Sequence, residues 1–98
     1  MEEVRPLRLH VQRRALSHLR NIEAYIARDR PMAAKHVGER LRSSFQFLCN
    51  FPDVGRVGRR PRTREWPIPD LPYIIVFRAK DATLEIIGVF HGARQHRF

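Results

Sequence analysis

Residues 7–11, LRLHV, alternate apolar and polar positions, the two-residue period of a short strand. From about Arg13 the period lengthens. Ala15, Leu16, Leu19, Ile22 and Ile26 recur at steps of three and four, which predicts an amphipathic helix with His18, Arg20 and Glu23 on its wetter flank. The segment RDRP closes that helix and opens a second, with Asp29 or Arg30 at the cap and Pro31 in the first turn, where its missing N–H costs nothing. Ala34, Val37, Leu41, Phe45 and Leu48 repeat the helical spacing, and Pro52 ends the helix near Phe51. Two helices joined by so short a turn form an antiparallel hairpin.

PDVGRVGRRPR (52–62) reads as a loop, because Pro, Gly and Arg crowd out any apolar period. Three strand candidates follow. TREWPI (63–68) is weak and suited to an edge, since it carries Pro67 and is followed closely by Pro69. YIIVFR (73–78) and TLEIIGVFH (83–91) are strong, and the AKDA joint at 79–82 is short enough to make them a hairpin. Tyr73, Ile75 and Phe77 share one face, while Ile74, Val76 and Arg78 share the other. Apolar residues on both faces predict a sheet covered on one side and partly covered on the other. The expected architecture is α+β, in the order β-α-α-β-β-β, with the helical hairpin packed on a small, largely antiparallel sheet.

Ninety-eight residues are too few for two independent cores, so residues 1–98 form a single domain, and a hydrophobic fraction of 43% is enough for one. Charge changes the picture more. Nineteen Lys and Arg against ten Asp and Glu give a formal charge of +9, and only Lys35 and Lys80 among the cations are lysines. Arginine suits planar, bidentate contact with phosphate or carboxylate, so a polyanionic partner is expected: nucleic acid or an acidic protein segment. Cys49 is alone and follows Leu48 on an apolar helix stretch, which favours a buried thiol over a nucleophile. No run of apolar residues approaches a membrane span or a signal peptide, and a cytoplasmic location is expected.

Catalytic constellations are sparse. His10, His18, His36, His91 and His96 fall on different elements and supply no converging ligand set, so neither metal nor cofactor is expected. Ser17, Ser43 and Ser44 lie on helices rather than at a nucleophile elbow, and GRVGRR lacks the Lys-Ser/Thr ending of a phosphate-cradling loop. What remains is cationic: Arg56, Arg59, Arg60, Arg62 and Arg64 precede the sheet, and Arg78, His91, Arg94 and Arg97 leave it. A meander places Arg64 and Arg78 towards one end, and leaves His91 free to lie at the other. His91 alone among side chains emerging from a strong strand titrates near neutrality, which suits either acid–base work or a plain sheet-end position.

Four segments in order resemble the RelE/ParE superfamily of toxins from bacterial toxin–antitoxin pairs. YIARDRPMAAKHVGERL (25–41) resembles the junction of the two family helices, and FLCNFPDVGR (47–56) its Phe-Pro-x-x-Gly-Arg stretch. TREWPIPDLPYIIVFR (63–78) resembles the Arg-Glu strand and the Pro-Tyr strand after it, and LEIIGVFHGARQ (84–95) the last strand with its His-Gly-x-Arg exit. The resemblance implies one of two activities. RelE-like members cut messenger RNA on the ribosome with basic residues and a terminal Tyr or His; ParE-like members poison DNA gyrase by binding it.

Ile74 stands where the ribonuclease pattern has Arg, and Phe98 where it has a catalytic Tyr, while Arg94 matches a basic position and Arg64 offers another. FPDVGR and LPYIIVFR are closer to the ParE branch. The resemblance therefore implies a gyrase-binding toxin rather than an enzyme, with Arg59, Arg60, Arg62, Arg64, Arg78, His91, Arg94 and Arg97 as its target- or polyanion-binding set. A RelE-like ribosome-dependent endoribonuclease using Arg64, His91 and Arg94 is the alternative. A degenerate toxin that only holds its antitoxin is the third reading. Each implies a cognate acidic antitoxin in a hetero-oligomer. The sequence stops at Phe98, where many relatives continue, and weakened or specialised target contact is expected if that extension takes part.

Overall fold

The computed structural model describes residues 5–92. Its elements run β1 (Arg8–Val11), α1 (Arg13–Ala27), α2 (Pro31–Asn50), β2 (Arg56–Val57), β3 (Arg64–Pro67), β4 (Tyr73–Lys80) and β5 (Thr83–His91). They build one five-stranded sheet in the order β1-β5-β4-β3-β2, mixed because β1 runs parallel to β5 while every other pair is antiparallel. The expected α+β class and hairpin-on-sheet architecture hold.

Two expectations are corrected. The segment read as pure loop contains β2, whose Arg56 and Val57 pair with Glu65 and Arg64. Two residues are too short to show a period, and Gly and Arg hide them. Gly55 lets the chain enter this pairing: its φ is +87°, and a Cβ there would fall 2.4 Å from the Glu65 carbonyl oxygen. β3 is consequently an edge only beyond β2, where Trp66 and Pro67 lie, and Pro67 sits where a proline is tolerated.

The second correction concerns His18. It is no flank residue in water, for its ring is half-buried and its Nδ1 accepts a hydrogen bond from the Val89 N–H at 3.1 Å. β1 covers the outer edge of β5 only through Ile86, whose carbonyl takes the Gln12 N–H. Beyond that point α1 lies along β5, and His18 satisfies an edge amide that no strand reaches. The ring also meets Phe90 edge-on, with centroids 4.9 Å apart. Gly88 makes room for that pair, since a Cβ there would sit 2.6 Å from the Phe90 ring.

The core lies between the sheet and the hairpin. Ala15 and Leu19 of α1 and Leu41, Phe45, Leu48 and Cys49 of α2 pack on Ile75, Phe77, Leu84, Ile86 and Val89. Ile86 and Val89 are three residues apart, which strict alternation would put on opposite faces. A register shift solves this: Val76 pairs with Gly88 but Phe77 pairs with Ile86, so Ile87 is the extra residue of a bulge. On the other face Ile74 and Val76 are also buried, as the apolar alternation of β4 predicts.

The hairpin turn between β4 and β5 is the dipeptide Asp81–Ala82, with both residues in the left-handed region at φ 53° and 61°. Such a two-residue turn follows the twist of its strands, and it favours Gly at the second position. Ala82→Gly is therefore expected to raise stability by about 1 kcal/mol, measured by urea unfolding. A loss would mean that the Ala82 methyl makes a contact worth more than the strain.

Burial, and secondly the charge of Arg14, hold His18 below the ordinary imidazole value of 6.5. The neutral ring is the one that can accept from Val89. The unfolded chain binds the extra proton first, so the His18 contribution is complete above pH 6.5 and is lost as pH falls through the lower folded value. Unfolding free energy should decline below that pH, and His18→Gln, which keeps an acceptor without a titration, should flatten the decline. An equally steep decline in that variant would assign the effect to other groups.

Candidate partner and polyanion surfaces

The two ends of the sheet carry different chemistry. At one end lie the start of β3, the end of β4, the starts of β5 and β1, and the 58–63 loop with its arginines. The loop is shaped by a buried carboxylate. Glu65 is 2% exposed, and its Oε1 accepts from Arg56 Nε and Nη2 while its Oε2 accepts the Arg59 backbone N–H at 3.2 Å. Within the loop the Gly58 N–H donates to the Thr63 carbonyl, and the Thr63 hydroxyl to the Arg60 carbonyl. Arg59, Arg60 and Arg62 are thus presented on a tied turn with exposed side chains.

Arg64 does something else. Its Nε donates to the Val54 carbonyl at 3.1 Å and its Nη2 to those of Asp53 and Gly55, so it ties down the turn after α2. Among the residues expected to meet a polyanion, this one is committed to backbone. Arg78 belongs to the cationic end and binds Glu85, whose carboxyl is held below the usual glutamate value of 4.5, first by that hydrogen bond. The open sheet face here is a cross-strand grid: Lys80, Thr83 and Arg8 form one row, Arg78, Glu85 and His10 the next. Sequence reading passed over Arg8 and Lys80. Lys80 was within reach of the hairpin alternation, but Arg8 joins the row only through the parallel β1–β5 register.

His91 is at the opposite end, paired with Tyr73, whose ring it meets edge-on at 5.7 Å. Burial, then the neighbouring Tyr25, raises the Tyr73 hydroxyl above its ordinary value. A shallow cavity of about 390 Å³ lies beside them, lined by Asn21, Ile22, Tyr25, Ile26, Tyr73 and His91. Arg64 pairs with Phe77 and His91 with Tyr73, four steps apart along β4, or about 13 Å. The structure therefore does not bring those two candidates into one site. Arg94 and Arg97, with Phe98, lie outside the described residues. Cys49 is buried and its thiol is pushed up by burial, which suits packing rather than attack.

A third surface is apolar. Leu9 and Val11 of β1, Leu16 and Leu19 of α1 and Phe45 of α2 line a groove of about 420 Å³, rimmed by Arg42, Ser43 and Gln46. Arg42 is held on its rim by Glu23 at 3.0 Å.

This architecture has known counterparts. The family described as the ParE toxin of the type II toxin–antitoxin system parDE matches residues 9–96. The chain belongs to that family. It is 42% identical over 82 residues to protein Y4kP of Sinorhizobium fredii, covering 84% of each chain. It is 31% identical over 81 residues to Toxin RelE2 of Caulobacter vibrioides, covering 83% of this chain and 90% of that protein. In fold, this ParE-family toxin is similar to a chain of the chromosomal ParDE system from P. aeruginosa, at TM-score 0.80 and 19% identity over 87% of this chain and 95% of that one. A chain of the RelBE2 toxin–antitoxin complex from Mycobacterium tuberculosis gives TM-score 0.61 at 20% identity, covering 93% and 97%.

The Glu65 anchor can be tested apart from any activity. Arg56 is more than half exposed, so Arg56→Ala is expected to cost only about 1 kcal/mol. Glu65→Ala should cost about 3 kcal/mol, because it orphans the Arg59 N–H and leaves a void. Urea unfolding measures both, and trypsin should nick the 58–63 loop faster in the second variant. Equal losses in the two would show that the exposed cation, not the buried carboxylate, holds the loop.

Proposed function

We propose that this ParE-family toxin acts by binding and inhibiting DNA gyrase and is neutralised by a cognate acidic antitoxin. The observation that carries the choice over cleavage is the disposition of the candidate acid–base groups. Cleavage needs one group to take a proton and another to give one within reach of the same phosphate. Here Arg64 is bonded to three carbonyls, His91 stands at the other end of β4, and Ile74 is buried where the ribonuclease pattern has an arginine. Those placements favour a surface that grips.

The antitoxin reading draws on the family and on the apolar groove. The related structures are a ParDE system and a RelBE2 toxin–antitoxin complex, named for paired components. A partly apolar segment gains burial on Leu9, Val11, Leu16 and Phe45, and acidic residues along it gain from a chain of formal charge +9. Likeness to Toxin RelE2 favours one second reading, a ribosome-dependent messenger RNA endonuclease.

Purified toxin is expected to inhibit gyrase supercoiling or trap cleaved DNA, and its induction to provoke a DNA-damage response with messenger RNA intact. Cleaved transcripts with unaffected supercoiling would overturn the gyrase reading. In that case His91→Ala or Arg94→Ala should slow cleavage by about a hundredfold or more. Harmless induction would leave only the antitoxin-holding role. Copurification with a coexpressed acidic partner, weakening as salt rises, tests the electrostatic part; salt-insensitive binding would oppose it.

A further inference from the structure

The cationic end of the sheet holds positive charge that neither the fold nor the antitoxin groove uses. On the open face Lys80, Thr83 and Arg8 stand in one cross-strand row, in a concavity of about 470 Å³ that also includes His10, Arg78, Asp81 and Glu85. A second concavity, of about 340 Å³, is lined by Arg62, Arg78, Ala79 and Lys80. The two share Arg78 and Lys80, so they adjoin at the end of β4, with β5 and β1 on one side and the loop before β3 on the other. Arg78 binds Glu85 and answers its charge, and His10 Nδ1 lies 3.7 Å from the same carboxylate. Asp81, at the hairpin tip, is the other acid here. Arg8, Arg62 and Lys80 are exposed, and among the described residues the structure gives them no carboxylate partner.

We infer that these adjoining concavities are a contact surface for the phosphate backbone of double-stranded DNA. Two inter-strand steps of about 4.8 Å put Lys80 and Arg8 about 10 Å apart, a span of about three phosphates at the 3.4 Å axial rise of one strand, and Arg62 lies beside Lys80 in the second concavity. The cations stand on paired strands and a tied loop, so little ordering is needed on contact. Thr83 adds a hydroxyl between two of them. Single-stranded nucleic acid is held by stacking bases on aromatic rings. Among the described residues no Phe, Tyr or Trp lines either concavity, and the imidazole of His10 stands against the Glu85 carboxylate at 3.7 Å; the exposed Tyr25, Phe47 and Phe51 lie on or next to the helices. A surface of cations without Phe, Tyr or Trp suits backbone rather than bases. An acidic peptide would find charge there but only Leu9 and Ala79 for its apolar residues, whereas the groove beside α1 and α2 offers both.

The inference stands apart from gyrase, because binding is measured without it. Fluorescence anisotropy of the full 98-residue chain with two unrelated 30-base-pair duplexes should give equal affinities. Three contacts predict a slope of log affinity against log salt of about −2.7. Arg8→Glu/Arg62→Glu/Lys80→Glu should weaken binding more than tenfold, while the charge-matched Arg20→Glu/Arg28→Glu/Lys35→Glu, on or next to the helices, should weaken it less than twofold. Equal weakening by the two sets, tighter binding of a 30-nucleotide single-stranded RNA, or full competition by polyglutamate at equal charge would each overturn the inference. Circular dichroism checks that the variants fold. If the triple variant does not, Arg8→Ala and Lys80→Ala should each reduce the slope by about 0.9, and an unchanged slope would refute the contact.

Discussion

A strand edge buried against the rest of a protein has to place each of its N–H groups, and the outer edge of β5 is where this fold answers that demand. β1 covers it for four residues, then the chain turns away into α1. The imidazole of His18 meets the Val89 amide just where strand cover ends. That contact sets α1 along β5, and through α1 it sets the helical hairpin over the sheet. The apolar groove between β1 and the hairpin follows from the same placement, as does the need for glycine at position 88. A half-buried ring that must stay neutral makes the whole arrangement sensitive to protons, although the chain owes its basic character to arginines that never titrate in this range.

The long elements were legible because each has enough turns or residues to display a period. Leu41, Phe45 and Leu48 repeat on α2, and Ile75 and Phe77 alternate on β4. What stayed hidden has a different physical origin in each case. β2 is two residues long. The bulge at Ile87 breaks the alternation of β5 without any glycine or proline at the extra position. His18 has the composition of a flank residue, and its role depends on where β1 stops, which is a fact of tertiary pairing. The parallel register that brings Arg8 beside Thr83 joins residues at opposite ends of the chain, and no local pattern records it.

The candidate site divides in the same way. Reading arginines as a set is blind to the division of labour within it. Arg56 neutralises Glu65, Arg64 bonds the turn after α2, and Arg78 faces Glu85. Only contact geometry separates these from Arg62 and Lys80, since all carry the same charge. Buried acids are the better clue. Glu65 follows Arg64 on a strand whose β4 partners are apolar, and a carboxylate in such a place must recruit donors, so β2 and the loop beside it have to supply them.

The position of Ile74 bears on how members of one family come to differ in activity. It is 7% exposed, with Pro67 and Phe90 as its neighbours in the two adjoining strands. An arginine placed there alone would have to bury a guanidinium between a ring and a proline, at a cost of several kcal/mol without a partner. Its neighbours would have to become smaller or acidic at the same time. An arginine at this position is therefore not a single substitution on this sheet, but a coordinated change across three strands.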